Sequence, residues 1–491
     1  MKRIISAFCL LAALSVKAEV KLPSFFCDNM VLQQQTVCRL WGTADANHSV
    51  TVRTSWDRKT YKVTADKDGR FEVKVQTPEA GGPYDITFAE QSTNTHHPSS
   101  ITLKNVLIGE VWICAGQSNM DMQLKGYKGQ PVEGSNEELL NCRDDALRLL
   151  FVKRTAQLEP QYDIKGGTWR EADVESVRSF SACAYYFGRA LRRTLGVPVG
   201  LICTAFGGSA CEAWMKADWL RAFPEVQQTI TEADVKARQQ RCPTAVYNGQ
   251  LHPLVGYAMR GAIWYQGEDN VPRYSFYAPL LKAMVEGWRQ EWQQGDFPFY
   301  FCQIAPYDYS RIGWKNSQLL REQQQKAEDI IPNSRMAVLM DAGLEYGIHP
   351  RKKRQAGERL AILALAGTYG VKGLPDFAKY QSMEIQGDTA VVSFDRSKEW
   401  IYFEHGTTSP NFEVAGSDRV FHPATKVWTS RNKLYVKSDA VAQPVAVRYA
   451  FKDYAEGDLM HDGLPVSSFR TDDWDVEPAV NETKGDYNEA K

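Results

Sequence analysis

The stretch Gly109-Glu110-Val111-Trp112-Ile113-Cys114-Ala115-Gly116-Gln117-Ser118-Asn119-Met120 decides the fold class. Its run from Val111 to Ala115 is apolar without alternation, as in a strand buried on both faces, and it breaks at a Gly-Gln-Ser turn before a helix-like start. A serine in such a turn sits at the C-terminal end of a strand and near the N-terminus of the next helix. There its hydroxyl is accessible and helix N–H groups can hold a developing oxyanion. By itself the turn reads equally well as Ser118 capping a helix. The neighbouring segments decide between the two.

Outward from this stretch, Val197–Cys203, Gly261–Tyr265, Phe299–Ile304 and Met336–Met340 also read as apolar strands, with amphipathic helical stretches between them. Strands alternating with helices predict an α/β domain over 105–370, a three-layer parallel sheet covered on both faces. Before it, 19–104 shows short alternating runs broken by turn residues, for example Ser49-Val50-Thr51-Val52-Arg53 and Arg70-Phe71-Glu72-Val73-Lys74-Val75 around Asp66-Lys67-Asp68-Gly69. That is a β-sandwich pattern. A second β domain is expected over 371–478, from runs such as Thr389–Phe394 and Ala446–Tyr449, and 479–491 reads as a polar tail.

Residues 1–18 carry Lys2 and Arg3, an apolar run from Ile4 to Val16, and Val16-Lys17-Ala18, which fits a small-x-small cleavage rule. A signal peptide cleaved after Ala18 and export to the periplasm or medium are expected. No later segment has eighteen consecutive apolar residues, so no membrane insertion is expected. With 58 Lys+Arg against 59 Asp+Glu, and no basic stripe, the chain has no field to gather nucleic acid. Cys9 lies in the leader, and nine of the ten cysteines remain, an odd number without a C-x-x-C pair. At least one thiol therefore stays free, although one or two disulfides are compatible with export. Cys114, Cys203 and Cys302, inside strand-like runs, read as small hydrophobes.

Three more segments follow strands. Thr204-Ala205-Phe206-Gly207-Gly208-Ser209 has a glycine pair that can point a backbone N–H into a site. In Trp264-Tyr265-Gln266-Gly267-Glu268-Asp269-Asn270 the Gln266 amide is a candidate oxyanion donor and Glu268 a candidate orienting group. Asp341-Ala342-Gly343-Leu344-Glu345-Tyr346-Gly347-Ile348-His349-Pro350 places a histidine just before a helix start, with proline in the first turn. Histidine is the natural general base for a serine at neutral pH. His252 is the rival, but His349 follows the last strand of the sheet. All four segments lie where open α/β sheets build their sites. There is no H-E-x-x-H and no Cys/His cluster, so neither a metal nor another cofactor is expected.

The Gly-Gln-Ser-Asn-Met, Trp-Tyr-Gln-Gly-Glu-x-Asn and Ile-His-Pro-x-x-Lys blocks resemble those of the sialate O-acetylesterase family, a carbohydrate-esterase branch of the SGNH (flavodoxin-like) hydrolases. The flanks Met30-Val31-Leu32-Gln33-Gln34, Gly81-Gly82-Pro83-Tyr84, Gly463-Leu464-Pro465 and Ser468-Phe469-Arg470-Thr471-Asp472 are similar to the ends of that family, so the resemblance covers nearly the whole mature chain. It implies an exported serine esterase acting on an O-acetylated sugar. Ser118 would be the nucleophile, His349 the base, and the Ser118 and Gly208 N–H groups with the Gln266 side chain the oxyanion donors. Asn119, Asn270 and Arg351 would contact substrate. The pattern departs from the family at one place. An acid often stands two or three residues before the histidine, and here those positions hold Gly347 and Tyr346. Glu268, Asp341 and Glu345 are the candidates to orient His349, beside a Ser–His dyad leaning on a backbone carbonyl.

Sialic acid is the favoured substrate, with a cation for its carboxylate from Arg351, Lys352, Lys353 or Arg354. Acetylated xylan or xyloglucan is the alternative. A non-catalytic carbohydrate-binding protein, holding glycan through aromatics such as Trp214, Trp314 and Trp400, is a third reading.

Overall fold

The computed structural model describes residues 20–91 and 100–476. The signal peptide, Cys9 and the polar tail from 479 fall outside the described residues.

The Ser100–Gly116 strand, 17 residues long, joins two sheets. Its first half pairs antiparallel with Gly81–Gln91 of the N-terminal domain. Its second half runs parallel between Val199–Ala205 and Gly261–Tyr265. Burial follows the change: exposed and buried positions mix up to Asn105, and from Val106 to Gly116 every residue is buried. An unbroken apolar run is what a strand covered on both faces requires. The 104/105 boundary therefore falls inside a continuous strand.

The central sheet has the order Ser334–Ala337, Phe299–Cys302, Gly261–Tyr265, Ser100–Gly116, Val199–Ala205, Asp144–Phe151, Arg170–Ala172. All its neighbours are parallel except the last, which is antiparallel. Without the outer pair formed by Asp144–Phe151 and Arg170–Ala172, the five parallel strands read 2-1-3-4-5, the flavodoxin-like order. Its switch point lies beside the strand that ends at Gly116. Two expected strands are shifted. Met336–Met340 is Ser334–Ala337, and Val197–Cys203 is Val199–Ala205, because Gly196 ends the preceding helix in a left-handed conformation and Pro198 gives its carbonyl to the Glu110 N–H.

Helices cover both faces. Trp112 stands in register with Gly261, so it shares a face with that residue, and Trp264, three positions on, points to the other. Trp112 packs edge-on against Phe187 of the Ala182–Leu195 helix, which lies against the Lys353–Gly367 helix. Trp264 packs against Trp288 of the Tyr277–Trp292 helix, beside the Ser317–Ile330 helix.

The N-terminal domain sets the Val37–Thr43/Arg70–Gln76 pair against the sheet of Ser49–Thr54, Thr60–Thr64 and Gly81–Gln91, and Phe71 meets Phe88 between them. The C-terminal β domain is three small antiparallel sheets. It docks on the α/β domain through Arg321, fully buried, which donates to the Lys452 and Asp453 carbonyls and to the Ser468 hydroxyl. All nine cysteines of the described residues are free thiols, so no disulfide forms among them, and Cys114, Cys203 and Cys302 are core residues. No helix among the described residues is long and apolar enough to cross a membrane.

Candidate active site

Gly116 ends its strand at φ 144°, and a Cβ there would stand 2.2 Å from the Tyr265 carbonyl oxygen. Only glycine allows this approach, and the following Gln117 N–H donates to the same carbonyl at 3.0 Å. The pinch turns the chain so that Ser118 opens the short Ser118–Asp121 helix, whose first N–H groups have no partner within the helix. Gly207 lies against it, with a built Cβ 3.5 Å from the Ser118 Cβ, and Gly208 follows in a left-handed conformation at φ 71°. Ser118, Gly208 and His349 line one cavity of about 390 Å³, with Arg154, Arg241 and Trp314 at its sides. His252 lines a different cavity and bonds the Gln161 carbonyl at 2.9 Å.

His349 is half-buried, with its Nδ1 2.6 Å from the Oε1 of Gln130. Gln130 belongs to a tight hairpin in which Tyr127 and Gln130 exchange backbone hydrogen bonds at 3.0 Å, flanked by left-handed Gly126 and Gly129. Tyr127 packs its ring edge-on to the imidazole, with centroids 5.1 Å apart, and its hydroxyl donates to the Ser118 carbonyl at 3.3 Å. Burial first, and the Lys353 ammonium second, push the imidazole down to about 4.

None of the three acids proposed to orient His349 is placed on its ring. Asp341 is held by both guanidinium arms of Arg359 at 2.6 Å. Glu345 is exposed, at a neighbouring cavity. Glu268 is buried and accepts from the Asn119 amide through Oε1, while its Oε2 has no partner. Burial raises its carboxyl above the usual range.

Gln266 is turned away from the cavity. Its amide nitrogen donates to the Ser209 carbonyl at 3.0 Å and to Asn270 Oδ1 at 2.7 Å, which commits both of its protons, and its oxygen accepts from the Tyr277 hydroxyl. It braces the 206–209 turn. Asn270 and Asn119 are likewise buried and internally bonded, Asn270 to Glu212 and to the Cys211 N–H, and neither lines the cavity. Arg351 is exposed and lines the neighbouring cavity. Lys352 donates to the Asp341 carbonyl, Lys353 to Asn119, and Arg354 to Glu138. The cations at the Ser118 cavity are instead Arg154 and Arg241, paired with Asp121 and Asp269. Of the three tryptophans, Trp214 is in the core, Trp400 is exposed on the C-terminal domain, and Trp314 alone borders this cavity. Gln130, Arg154 and Arg241 escape sequence reasoning because each stands in a loop or a short 3-10 turn beside other polar or turn-forming residues, with no spacing to single it out.

Residues 27–105 match a bacterial Ig domain. A crystal structure of a carbohydrate acetylesterase from Xanthomonas citri superposes with a TM-score of 0.83 at 33% identity, covering 93% of this chain and all of that one. The sialate O-acetylesterases of Rattus norvegicus and Homo sapiens are each 28% identical, over 72% of this chain and 74% and 72% of theirs. Residues 108–362, more than half of the chain, match the family described as carbohydrate esterase, sialic acid-specific acetylesterase. The protein belongs to that family and is a carboxylic ester hydrolase.

Proposed function

We propose that this protein removes O-acetyl groups from sialic acid by a Ser118–His349 acetyl-enzyme mechanism. The observation that carries the reading is the shared cavity, which brings together an accessible serine at a helix start, a largely neutral imidazole and two guanidinium groups. His349 takes the Ser118 proton on Nε2 as Oγ attacks the acetyl carbonyl. The oxyanion is held by the Ser118 and Gly208 N–H groups, each worth about 3 kcal/mol in comparable sites. Collapse breaks the bond between the acetyl carbonyl carbon and the sugar oxygen, leaving the acetyl on Ser118 Oγ, and the imidazolium returns its proton to the leaving alcohol. A water, deprotonated by the same imidazole, then releases acetate.

Arg154 and Arg241 support an acidic sugar. Arg154 keeps a half-exposed side chain, bonded to Asp121, beside Ser118. The second reading is an acetylated plant polysaccharide. Trp314 at the cavity side, and carboxylate partners already in place on both arginines, favour a neutral glycan. Export by residues 1–18 is part of the proposal, on the basic start, the apolar run and Val16-Lys17-Ala18.

The test is acetate release by the mature chain, Ser118→Ala and His349→Ala from 9-O-acetylated sialic acid beside acetylated xylan and xyloglucan. Release from sialic acid, lost in both variants, is the expected result. Release only from a plant polymer would keep the mechanism and replace the substrate, and full activity in Ser118→Ala would overturn the mechanism.

A further inference from the structure

The acid that the family pattern places before the histidine is missing, and the structure puts an amide from a distant hairpin on the imidazole instead. We propose that Gln130 is the positioning residue for His349, so that a neutral side chain does the orienting work otherwise given to a carboxylate. The inference rests on the Ser118–His349 reading.

The geometry is specific. Gln130 Oε1 stands 2.6 Å from Nδ1, and an amide oxygen can only accept, so Nδ1 carries the proton and Nε2 keeps the lone pair that must face the serine. The hairpin is itself fixed to the nucleophile's helix, because Tyr127, its first paired residue, donates to the Ser118 carbonyl and to Asp121. One element thus grips both partners of the proton transfer. Position 346, where an acid would complete the family pattern, holds an exposed tyrosine stacked under the Arg311 guanidinium.

A neutral acceptor has a consequence that a carboxylate lacks. A carboxylate on Nδ1 stabilises the imidazolium and raises the histidine, whereas an amide orients the ring without adding negative charge. The charged groups facing His349 are Lys353, at the start of the helix that follows it, and, round the cavity behind it, Glu345 and Arg351. Round the cavity in front are Asp121, Arg154, Arg241, Glu268 and Asp269, with the Tyr127 hydroxyl beside them. The acids in front stand against arginines or the buried Lys353–Asn119 bridge, so burial first and the Lys353 charge second act on the ring, and the imidazole remains a free base well into acid solution.

Three variants of the full chain test this through the pH profile of kcat/KM on an acetyl ester, with nitrogen NMR of labelled histidine as an independent readout. Gln130→Glu is expected to keep activity at neutral pH and move the acid limb upward by about 1–3 pH units, the usual effect of an adjacent carboxylate. Gln130→Leu is expected to lower kcat at least tenfold with little change in KM, and to mix the two ring tautomers in the NMR spectrum. Glu345→Gln, in the rival position, is expected to leave the limb in place. An unmoved limb in Gln130→Glu, unchanged kcat in Gln130→Leu, or a limb that answers to Glu345→Gln would overturn the assignment. Activity surviving His349→Ala would sink the underlying Ser–His reading instead, which keeps the two failures distinct.

Discussion

Asn119 ties the base to the nucleophile: one residue after Ser118, it donates its amide at 3.1 Å to the carbonyl of Ile348, one residue before His349. The same amide nitrogen donates to Glu268, and the amide oxygen accepts from the Lys353 ammonium at 2.6 Å. Asn119 is therefore a neutral spacer between two buried opposite charges and a clamp across the site. Asn119→Ala is expected to lower kcat by about 10²-fold with KM little changed, the order of loss for a misplacement near 1 Å. Stability should fall by about 1–3 kcal/mol as buried partners lose their bonds. Thermal unfolding and steady-state kinetics check both, and a variant that binds sugar poorly but turns over normally would restore Asn119 to a substrate-contact role.

The acid limb of the wild-type profile follows from the state of His349. The neutral imidazole is the active base, and protonation abolishes it. Because the ring sits at about 4 rather than 6.5, kcat/KM should climb as pH rises through about 4 and be flat by pH 6. Lys353, itself pushed down to about 8 by burial, holds protons off the ring while it is charged. Lys353→Met removes that charge, so the limb should move upward, with circular dichroism confirming the fold. A limb that stays put would leave burial as the sole cause of the depressed value.

How far these relations could be read beforehand depends on their range in the chain. The parallel sheet was legible because strands such as Val111–Ala115 and Gly261–Tyr265 are continuous apolar runs, and burial on both faces demands that composition. That Ser118 and His349 would come to one cavity was legible because each follows a strand at the sheet's C-terminal edge. The orientation of Gln266 was not legible for a physical reason: the sequence places it at the site, but whether an amide faces the cavity or the loop beneath depends on Ser209, Asn270 and Tyr277, which are its partners only in three dimensions. Gln130 lies 219 positions from His349. No local pattern encodes such a contact, and the same holds for Arg154 and Asp121, 33 positions apart.

Gln266 itself offers a clean discrimination between bracing and direct catalysis. Removal of a true oxyanion donor costs about 10²–10³ in kcat without needing to disturb the fold. Gln266→Ala should instead lose about 1–3 kcal/mol of stability, because the Ser209 carbonyl is left unpaired in the core while Asn270 and the Tyr277 hydroxyl each lose one of their partners. Its kcat loss should stay below that of a direct donor. A thousandfold drop with an unchanged unfolding temperature would mean that the amide swings into the cavity when substrate binds.

Arg154 separates the two substrate readings. Its guanidinium meets buried Asp121 through Nε and Nη2, and the side chain remains 46% exposed at the cavity that holds Ser118. A sugar carboxylate there would gain a charge-assisted hydrogen bond worth about 1.5–3 kcal/mol, equal to roughly ten- to a hundredfold in affinity. Arg154→Met is therefore expected to raise KM for O-acetylated sialic acid by that factor, with a far smaller change for the neutral ester para-nitrophenyl acetate. The substitution also strips Asp121 of its partner, and burial already raises that carboxyl, so it should take up a proton rather than remain a bare buried charge. The double variant Arg154→Met/Asp121→Asn removes this complication. If it loses activity on charged and neutral esters alike, Arg154 supports the Ser118 helix, and the glycan seated beside Trp314 is a neutral one.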